Sequence, residues 1–371
     1  MNIWLGCKNI LCIRPDNMGD LIMSGPAIRA LKESFDARIT VLTSSMAVGI
    51  AKNMPEIDDV IIFDVPWIKT KLVHKTYVFN EIIEEVKGRK FDAAVIFTVY
   101  SQNPLPSAMI AYMAGIPKRL AYCRENPYQL LTEWVPDKEP YSIIKHQVWR
   151  DLSLVATVGA FTKNESLFLQ QNYELWAVVE QKLGRIGVDI GKKWMILHAG
   201  VSEEKRQFAL EKWVSTGKKI IDELGYQLIL TGSVTEKALT DQLENAIGTG
   251  SFSAGGLFNI DEFVLLIGKA PIVLSVNTAT AHIAAAVGTA VVVLYALTNP
   301  QHTPWRSVCK VLPFDVPEAA QSKNEVIRFV NDKLFNKPVE MPTEDNIIDA
   351  MKELITSGTH VSTSVKPGVI S

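Results

Sequence analysis

Two series of apolar runs, separated by helical patterns, organise the chain. In the first half, four stretches have the length and composition of buried strands: ILCIR (10–14), RITVL (38–42), DVIIF (59–63) and DAAVIF (92–97). Helical stretches such as LIMSGPAIRALKESF (21–35) and FNEIIEEVKGRK (79–90) lie between them. Alternation of this kind predicts a parallel sheet covered by helices.

The second half repeats the pattern. Its strand-like runs are KWMILHAG (193–200), YQLILTG (226–232), PIVLSV (271–276) and AVVVLY (290–295). Two such series predict an α/β protein of two Rossmann-like, doubly wound domains, at 1–170 and 171–357, with the boundary inside 161–175. Helices are expected near 318–335 and 343–357, and the polar residues 358–371 are expected to form a frayed tail. Two open sheets that face each other would leave a central cleft for a ligand at the carboxyl ends of their strands.

One segment is apolar enough to suggest a membrane span. Residues 270–297 contain no Asp, Glu, Lys or Arg. Asn277, His282 and Gly288 interrupt the run, however, and strand-like, helix-like and strand-like parts follow one another. We therefore expect a buried β-α-β unit, because parallel strands covered on both faces are continuously apolar.

Composition narrows the class of protein. A length of 371 residues suits two domains, and a net charge of −2 argues against bulk nucleic-acid binding. The four cysteines form no CxxC pair, which indicates a reducing compartment, and the N-terminus lacks a signal-peptide layout, so the cytoplasm is the expected location. The sequence has no DxD, no HExxH and no Cys/His cluster of ligand spacing, so no metal or other cofactor is expected.

The polar insert DNMGD follows the first strand, where α/β proteins bind ligands. Gly19 would allow tight backbone geometry at the turn, and Asp20 lies near the start of the next helix. Asp20 has two interpretations that stay open: a helix cap, or a carboxylate that accepts a proton from an attacking hydroxyl.

The loop VSEEKRQ follows the strand KWMILHAG and carries Lys205 and Arg206 beside Glu203 and Glu204. A solvated loop of mixed charge is the simpler interpretation. The functional one is a cation that neutralises a phosphate or a leaving diphosphate.

Two further strand ends suit a nucleotide. After PIVLSV, Thr278 and Ala279 open a helix whose backbone N–H groups could bind a phosphate, with His282 in its first turns. A lone His in an apolar helix is more often a packed residue. Glu236 follows YQLILTG, where a carboxylate could bond a ribose diol.

Four stretches together resemble glycosyltransferase family 9, the ADP-heptose:lipopolysaccharide heptosyltransferases of GT-B fold, over roughly residues 9–310. They are IRPDNMGDLIMSGPAIRALKESF, MAGIPKRLAYCRENPYQLLTEWVP, LHAGVSEEKRQFALEKW and SVNTATAHIAAAVGTAVVVLYALTNPQHTPW. Each stretch is weak alone, but their order and spacing are specific.

The resemblance implies roles for these residues. Asp20 matches the family's proposed general base, which would deprotonate an acceptor hydroxyl for direct, inverting attack, with Asn17 and Gly19 beside it. Lys205 matches the lysine that holds the donor's phosphates. Thr278, Ala279 and His282 match the phosphate-binding helix start, and Glu236 matches the carboxylate on the ribose. Gly200 and Val201 match positions that carry hydroxyl residues in some members, and Phe258 would lie near the adenine.

Asn277 departs from the resemblance. The family pattern at this strand end is usually SxDTG, whereas this chain has SVNTATAH. An amide replaces a carboxylate that could meet the donor sugar, although Asn still donates and accepts hydrogen bonds. The change affects the expected donor sugar and the expected level of activity more than it affects the expected fold.

The acceptor side is basic. The stretch PWIKTKLVHKTY (66–77) is on composition more simply a solvated loop, but in the family a basic loop in this region meets an anionic inner-core acceptor. Its lysines are Lys69, Lys71 and Lys75, and Arg119 and Arg124 could add to the acceptor site. Such a patch would also favour peripheral contact with the cytoplasmic face of an anionic inner membrane.

These observations predict an inverting, metal-independent glycosyltransferase that moves a heptose from ADP-heptose, a nucleotide-sugar co-substrate, to a lipopolysaccharide inner-core acceptor, an anionic glycolipid. Three alternatives remain. They are a family 9 transferase with another donor sugar or with a protein or small-glycoside acceptor, a nucleotide-sugar epimerase, and a catalytically silent nucleotide-sugar-binding relative.

Overall fold

The computed structural model describes residues 4–68, 75, 77–335 and 337–357. They divide into two compact units between Ser166 and Leu167, a few residues before the predicted boundary at 170/171. Each unit contains one six-stranded sheet whose neighbouring strands are all parallel. The prediction of two parallel α/β domains is confirmed, while the predicted tail lies outside the described residues.

The first unit places its strands in the order β3-β2-β1-β4-β5-β6. The strand order reverses between β1 and β4, which is the switch point where open α/β sheets bind ligands. The strands are β1 Asn9–Arg14, β2 Arg38–Thr43, β3 Asp59–Ile62, β4 Ala93–Ile96, β5 Lys118–Cys123 and β6 Glu133–Pro136. The helices are α1 Met18–Phe35, α2 Val48–Ala51, α3 Tyr77–Gly88, α4 Leu105–Met113 and α5 Gln147–Ala156.

Helix α1 begins directly after the central strand of this sheet. Asn17 is its N-cap, and Asn17 and Asp20 form a capping box in which each side chain bonds the other residue's backbone N–H. Asp36 ends the helix in the left-handed conformation, with φ of 48°. Most of α1 is buried, and it packs on α5. The capping box thus sets where the polar insert ends and the buried helix begins.

The second unit repeats the strand order as β12-β11-β10-β7-β8-β9, with its switch point between β7 and β10. The strands are β7 Trp194–His198, β8 Gln227–Gly232, β9 Ser251–Gly255, β10 Ile272–Val276, β11 Ala290–Ala296 and β12 Cys309–Phe314. The helices are α6 Trp176–Arg185, α7 Leu210–Lys219, α8 Lys237–Ile247, α9 Ile260–Lys269, α10 Ala279–Val287, α11 Glu325–Leu334 and α12 Glu344–Ser357. Short 3-10 turns at Glu204–Arg206 and Val234–Glu236 follow β7 and β8.

The charge-free segment 270–297 forms β10, α10 and β11, as predicted. Every residue of β10 is buried, and six of the seven residues of β11 are buried. Gly288 ends α10 with φ of 82°, a conformation that glycine adopts without a Cβ penalty. Within the ranges that the structure describes, no helix is both long and apolar enough to span a bilayer.

Four strands were not predicted from the sequence, namely β5, β6, β9 and β12. β5 begins with Lys118 and Arg119, and β9 reads SFSAG, so neither is a run of large apolar residues. β6 and β12 are edge strands that are only partly buried and contain a proline each. Only pairing with a more apolar neighbour identifies these segments as strands.

Candidate active site

The turn after β1 surrounds a buried guanidinium. The side chain of Arg14 is fully buried at the end of the strand. Its Nε lies 3.2 Å from Asp16 Oδ2, and its Nη2 lies 3.2 Å from Asp20 Oδ1. The other oxygen of Asp20, Oδ2, accepts the backbone N–H of Asn17 at 3.3 Å. Asp20 is therefore both a helix-capping group and the partner of a buried cation.

Asp16 connects this turn to the next strand across the switch point. Gln102, which follows β4, donates its Nε2 to Asp16 Oδ1 at 2.6 Å. Burial raises the pKa of Asp16 to about 6; Arg14 opposes the rise and the Asp20 carboxylate adds to it.

A third carboxylate, Asp151 of α5, is buried behind the turn. It accepts Ser24 Oγ from α1 at 2.7 Å and Gln147 Nε2 at 2.8 Å. Burial raises the pKa of Asp151 to about 6, against the opposing effects of Arg14, Ser24, Arg150 and Gln147. Arg14 thus lies among several acidic groups inside the first unit.

The predicted residues Asn17, Gly19 and Asp20 lie together in and before the first turn of α1. The expectation for Gly19 was wrong in one respect. Gly19 is a buried residue of α1 and is not among the glycines with positive φ. Its backbone is therefore helical and does not form the tight turn that was expected.

The basic residues expected at the acceptor behave differently from one another. Lys69 and Lys71 lie outside the described residues, and Lys75 is exposed. Arg119 is only 8% exposed, and its guanidinium donates to the backbone carbonyls of Ile116, Gln129 and Leu130. Its donors are thus engaged by one carbonyl just before β5 and two before β6, and a role at the acceptor stays a prediction.

Arg124 is partly exposed and bonds the carbonyl oxygens of Tyr100 and Glu139. Its guanidinium also lies 3.5 Å from Asp137. These contacts hold Arg124 in place, and a role at the acceptor stays a prediction.

In the second unit, the 3-10 turn after β7 presents Lys205 beside Glu203. The Lys205 Nζ lies 3.1 Å from Glu203 Oε2, and its side chain is 27% exposed. Arg206 Nε lies 3.4 Å from the same oxygen, and its Nη1 donates to the backbone oxygen of Asn277 at 3.0 Å. This bond joins the turn after β7 to the end of β10.

Glu236 lies over the end of β7. Its Oε2 accepts the backbone N–H of Ser233 at 2.7 Å and the Ser233 hydroxyl at 2.8 Å. Ser233 and Glu236 also form a capping box, in which each side chain bonds the other residue's backbone N–H. A Cβ built on Gly200 would lie 2.2 Å from Glu236 Oε1 and 2.4 Å from its carboxyl carbon. Only glycine at position 200 leaves room for this carboxylate, and the neighbouring Val201 packs against the core.

His198 lies at the end of the same strand. Its ring Nδ1 is 3.1 Å from Thr231 Oγ1 on β8. Burial lowers the pKa of His198, and the nearby Glu236 opposes this effect.

The start of α10 combines three predicted residues. Thr278 is the N-cap, Ala279 is the first helical residue, and His282 is buried. Asn277 precedes them and is 7% exposed, with its amide bonded to β11. Helix starts present backbone N–H groups that suit anions, so this end of the unit offers donors beside the turn of Lys205.

Phe258 belongs to the loop after β9. Lys182 Nζ lies 5.8 Å from the centre of its ring, and Gly256 N–H donates to Gly232 O at 2.8 Å. The loop of Phe258 therefore adjoins the loop that carries Glu236.

Sequence reasoning missed several polar residues at these sites: Arg14, Asp16, Gln102, Asp151, His198 and the role of Arg206. Arg14 and Asp16 carry a detectable signal, because ionisable residues directly after a buried strand need partners. Gln102 and Asp151 carry none, since 86 residues separate Gln102 from Asp16 and 127 separate Asp151 from Ser24.

With the polar side chains of both switch points described, the chain can be compared with known proteins. The family model of glycosyltransferase family 9 (heptosyltransferase) matches residues 80–326, more than half of the chain. The chain belongs to this family. It is a glycosyltransferase by membership, as the sequence resemblance implied.

Curated family members with similar sequences include two heptosyltransferases. Lipopolysaccharide heptosyltransferase 2 of Escherichia coli K12 is 24% identical over 318 residues, which cover 80% of this chain and 84% of that protein. Lipooligosaccharide heptosyltransferase 2 of Haemophilus influenzae is 24% identical over 310 residues, which cover 80% and 85%.

Solved structures of the family share the fold. A family 9 glycosyl transferase from Veillonella parvula has a TM-score of 0.76 at 16% identity, covering 94% of this chain and 97% of that one. The E. coli ADP-heptose LPS heptosyltransferase II has a TM-score of 0.71 at 20% identity, covering 94% and 99%. These likenesses support the GT-B fold.

Proposed function

We propose that this glycosyltransferase moves a heptose from ADP-heptose to a lipopolysaccharide inner-core acceptor, with inversion and without a metal. Family membership and the heptosyltransferase names of its relatives support the reaction class. A related E. coli heptosyltransferase was solved with ADP, which favours an adenine nucleotide as the leaving group. The observation that carries the proposal is the presence, at the two switch points, of a carboxylate and of a cation beside a helix start.

In the first unit, Asp20 is the proposed base. A general base acts as an ionised carboxylate, and Asp20 Oδ1 lies 3.2 Å from the buried guanidinium of Arg14, which would balance that charge. In the reaction, the acceptor oxygen forms a bond to the anomeric carbon while its proton passes to Asp20. The bond from that carbon to the diphosphate oxygen breaks, and ADP leaves.

In the second unit, the charge of the leaving diphosphate needs a partner. Lys205 and the N–H groups at the start of α10 are the proposed donors, and preorganised donors of this kind stabilise developing negative charge. Lys205 would exchange Glu203 for the diphosphate when the donor binds. Glu236 is proposed to accept the ribose diol, and Phe258 to lie near the adenine.

The acceptor is proposed to be an anionic glycolipid. Lys75 is exposed, and the other lysines of the 66–77 stretch are proposed to share its role. Peripheral contact with the cytoplasmic face of an inner membrane would follow from the same charges.

The first test is calorimetric titration of the purified protein with ADP, UDP and GDP, with EDTA and no added metal. We expect ADP to bind preferentially, and the Lys205→Ala variant to bind it at least about tenfold more weakly, as loss of a charge-assisted bond predicts. Lys192→Ala is the matched control, because Lys192 lies in the same unit with a 73% exposed side chain.

Each other outcome would change the proposal. A preference for UDP or GDP would keep the glycosyltransferase and reject an ADP-heptose donor. Binding that requires a metal would contradict the assignment of Lys205 and α10 to the diphosphate. No binding of any of the three nucleotides would reject the proposed donor site in the second unit.

A further inference from the structure

The amide of Asn277 is bonded on both sides to one residue of the neighbouring strand. Its Nδ2 donates to the backbone oxygen of Ala296 at 3.2 Å and to Thr298 Oγ1 at 3.3 Å. Its Oδ1 accepts the backbone N–H of Ala296 at 3.2 Å. These partners determine the orientation of the amide, because one side must donate and the other must accept.

This pairing continues the sheet beyond its last backbone pair. β10 and β11 run in parallel, and their register ends with Val276 opposite Leu294. In a parallel pair, alternate residues of one strand point both N–H and C=O toward the neighbour. After β10 ends, the side chain of Asn277 takes the place of the next peptide group and bonds both polar groups of Ala296, whose oxygen also accepts the Thr298 N–H at 2.8 Å.

The backbone of Asn277 is engaged as well. Its carbonyl oxygen accepts Arg206 Nη1 at 3.0 Å. Arg206 and Lys205 both contact Glu203 in the turn after β7. Asn277 therefore joins the ends of three strands, β7, β10 and β11, at the start of α10.

An aspartate could not make the same contacts. Its carboxylate has no donor for the Ala296 oxygen, so two acceptors would face each other, and a charge would be buried at a site that is 7% exposed. An aspartate, which the resemblance leads us to expect here, would need a different side-chain orientation. Asn suits the site because its amide both donates to and accepts from Ala296.

We infer that Asn277 is a positioning residue, whose amide and carbonyl hold the Lys205 turn and the start of α10 on β11, and that it is not a ligand of the donor sugar. The consequence for donor binding rests on the proposed function. A sugar ligand and a positioning residue differ in a measurable way. Loss of a sugar ligand weakens binding of ADP-heptose but not of ADP, whereas loss of a positioning residue weakens both by the same factor.

The test is Asn277→Asp in the full chain. We expect the melting temperature without ligand to fall by about 5 °C or more, as loss of a buried hydrogen bond and burial of a charge predict for a domain of this size. We also expect dissociation constants for ADP and for ADP-heptose, measured without acceptor, to rise by the same factor of roughly ten. Asn324→Asp is the matched control, because Asn324 caps α11 only as an acceptor and Asp is an equally good cap.

Arg206→Lys keeps the inference testable if Asn277→Asp fails to fold. Lys retains the charge but not the planar donor that reaches the Asn277 carbonyl. We expect this variant to melt within about 2 °C of the parent, since substitutions at partly exposed sites change stability little. We expect its dissociation constants for ADP and for ADP-heptose to rise by the same factor, about threefold or more.

Three results would overturn the inference: an unchanged melting temperature for Asn277→Asp, ADP affinity unchanged in both variants, or a change confined to ADP-heptose. If the parent protein binds no ADP, the proposed function fails instead. The melting temperature alone then decides whether the Asn277 amide holds β11.

Discussion

At the scale of single residues, Asp20 combines two roles that compete for one carboxylate. One oxygen caps α1 through the Asn17 N–H, and the other faces the guanidinium of Arg14. The cap interpretation from the sequence is therefore present in the structure, and the proposed role as a base adds to it. Folding and turnover must both be measured on a variant of Asp20 to separate these roles.

We expect Asp20→Asn to lower turnover by roughly two to four decades, the usual contribution of a general base, while ADP affinity stays within about twofold. Steady-state transfer and calorimetry would measure the two effects. Asp36→Asn is the matched control, because Asp36 ends the same helix in a left-handed conformation that Asn tolerates. Unchanged turnover in Asp20→Asn would leave Asp20 with its capping role alone.

At the scale of elements, the ends of β7 and β8 depend on each other. Gly200 lies just past the end of β7, and the capping box of the 3-10 turn after β8 places Glu236 in the space that a side chain at 200 would fill. Ser233 holds one oxygen of Glu236, and the other lies over Gly200. A hydroxyl residue at 200, as in some family members, would require another position for this carboxylate.

We expect Gly200→Ala to displace Glu236 and to weaken ADP binding by about tenfold, because a hydrogen bond to a charged group is worth about 1.5–3 kcal/mol. The loss should concern the ribose. The parent should prefer ADP to 2′-deoxy-ADP, and the variant should show a much smaller preference in the same titration.

Gly184→Ala is the control for this substitution. Gly184 is a residue of α6 with open space where a Cβ would lie, and Ala there should stabilise the helix slightly without changing affinity. If Gly200→Ala retained the parent's preference for ADP, Glu236 would lose its proposed ribose role.

At the scale of the whole molecule, the buried carboxylates of the first unit affect stability as a function of pH. The pKa of Asp151 is about 6 in the folded protein and near its usual value of 3.8 in the unfolded chain. Between these values the folded state binds more protons, so this group makes the protein less stable as the pH rises from about 4 to about 6. The contribution of Asp151 to the free energy of unfolding is most favourable below about pH 4 and is lost above about pH 6.

We expect Asp151→Asn to remove this dependence. The free energy of unfolding of the variant, relative to the parent, should rise between pH 4 and pH 7 by up to roughly 3 kcal/mol, at about 1.4 kcal/mol per pKa unit. Urea unfolding of both proteins across this range would measure it. An amide still suits Ser24, whose hydroxyl can accept as well as donate.

Asp241→Asn should give the opposite slope. The hydrogen bond from Lys237 lowers the pKa of Asp241, so its contribution to stability is present at neutral pH and is lost in acid. A flat difference for Asp151→Asn would mean that Asp151 is ionised throughout this range in the folded protein.

The sequence by itself determined the elements whose local signals are strong. Long buried runs identify β1, β2, β10 and β11, because strands covered on both faces are continuously apolar. The cap interpretation of Asp20 indicates where α1 begins to within one turn, since Asn17 is the N-cap and Asp20 its capping-box partner, and a glycine after the apolar run ends α10. Alternation of strands and helices then predicts two parallel sheets, and the four motif stretches predict the family.

Only the tertiary structure decided what the polar side chains do. The sequence places Arg119 in a basic stretch, but three carbonyls occupy its guanidinium. Asn277 occupies the place of a carboxylate in the motif, but its amide bonds a residue 19 positions away and its carbonyl bonds one 71 positions away. Hydrogen-bond partners at such separations depend on how strands align across a sheet, and neither composition nor periodicity along the chain contains that alignment.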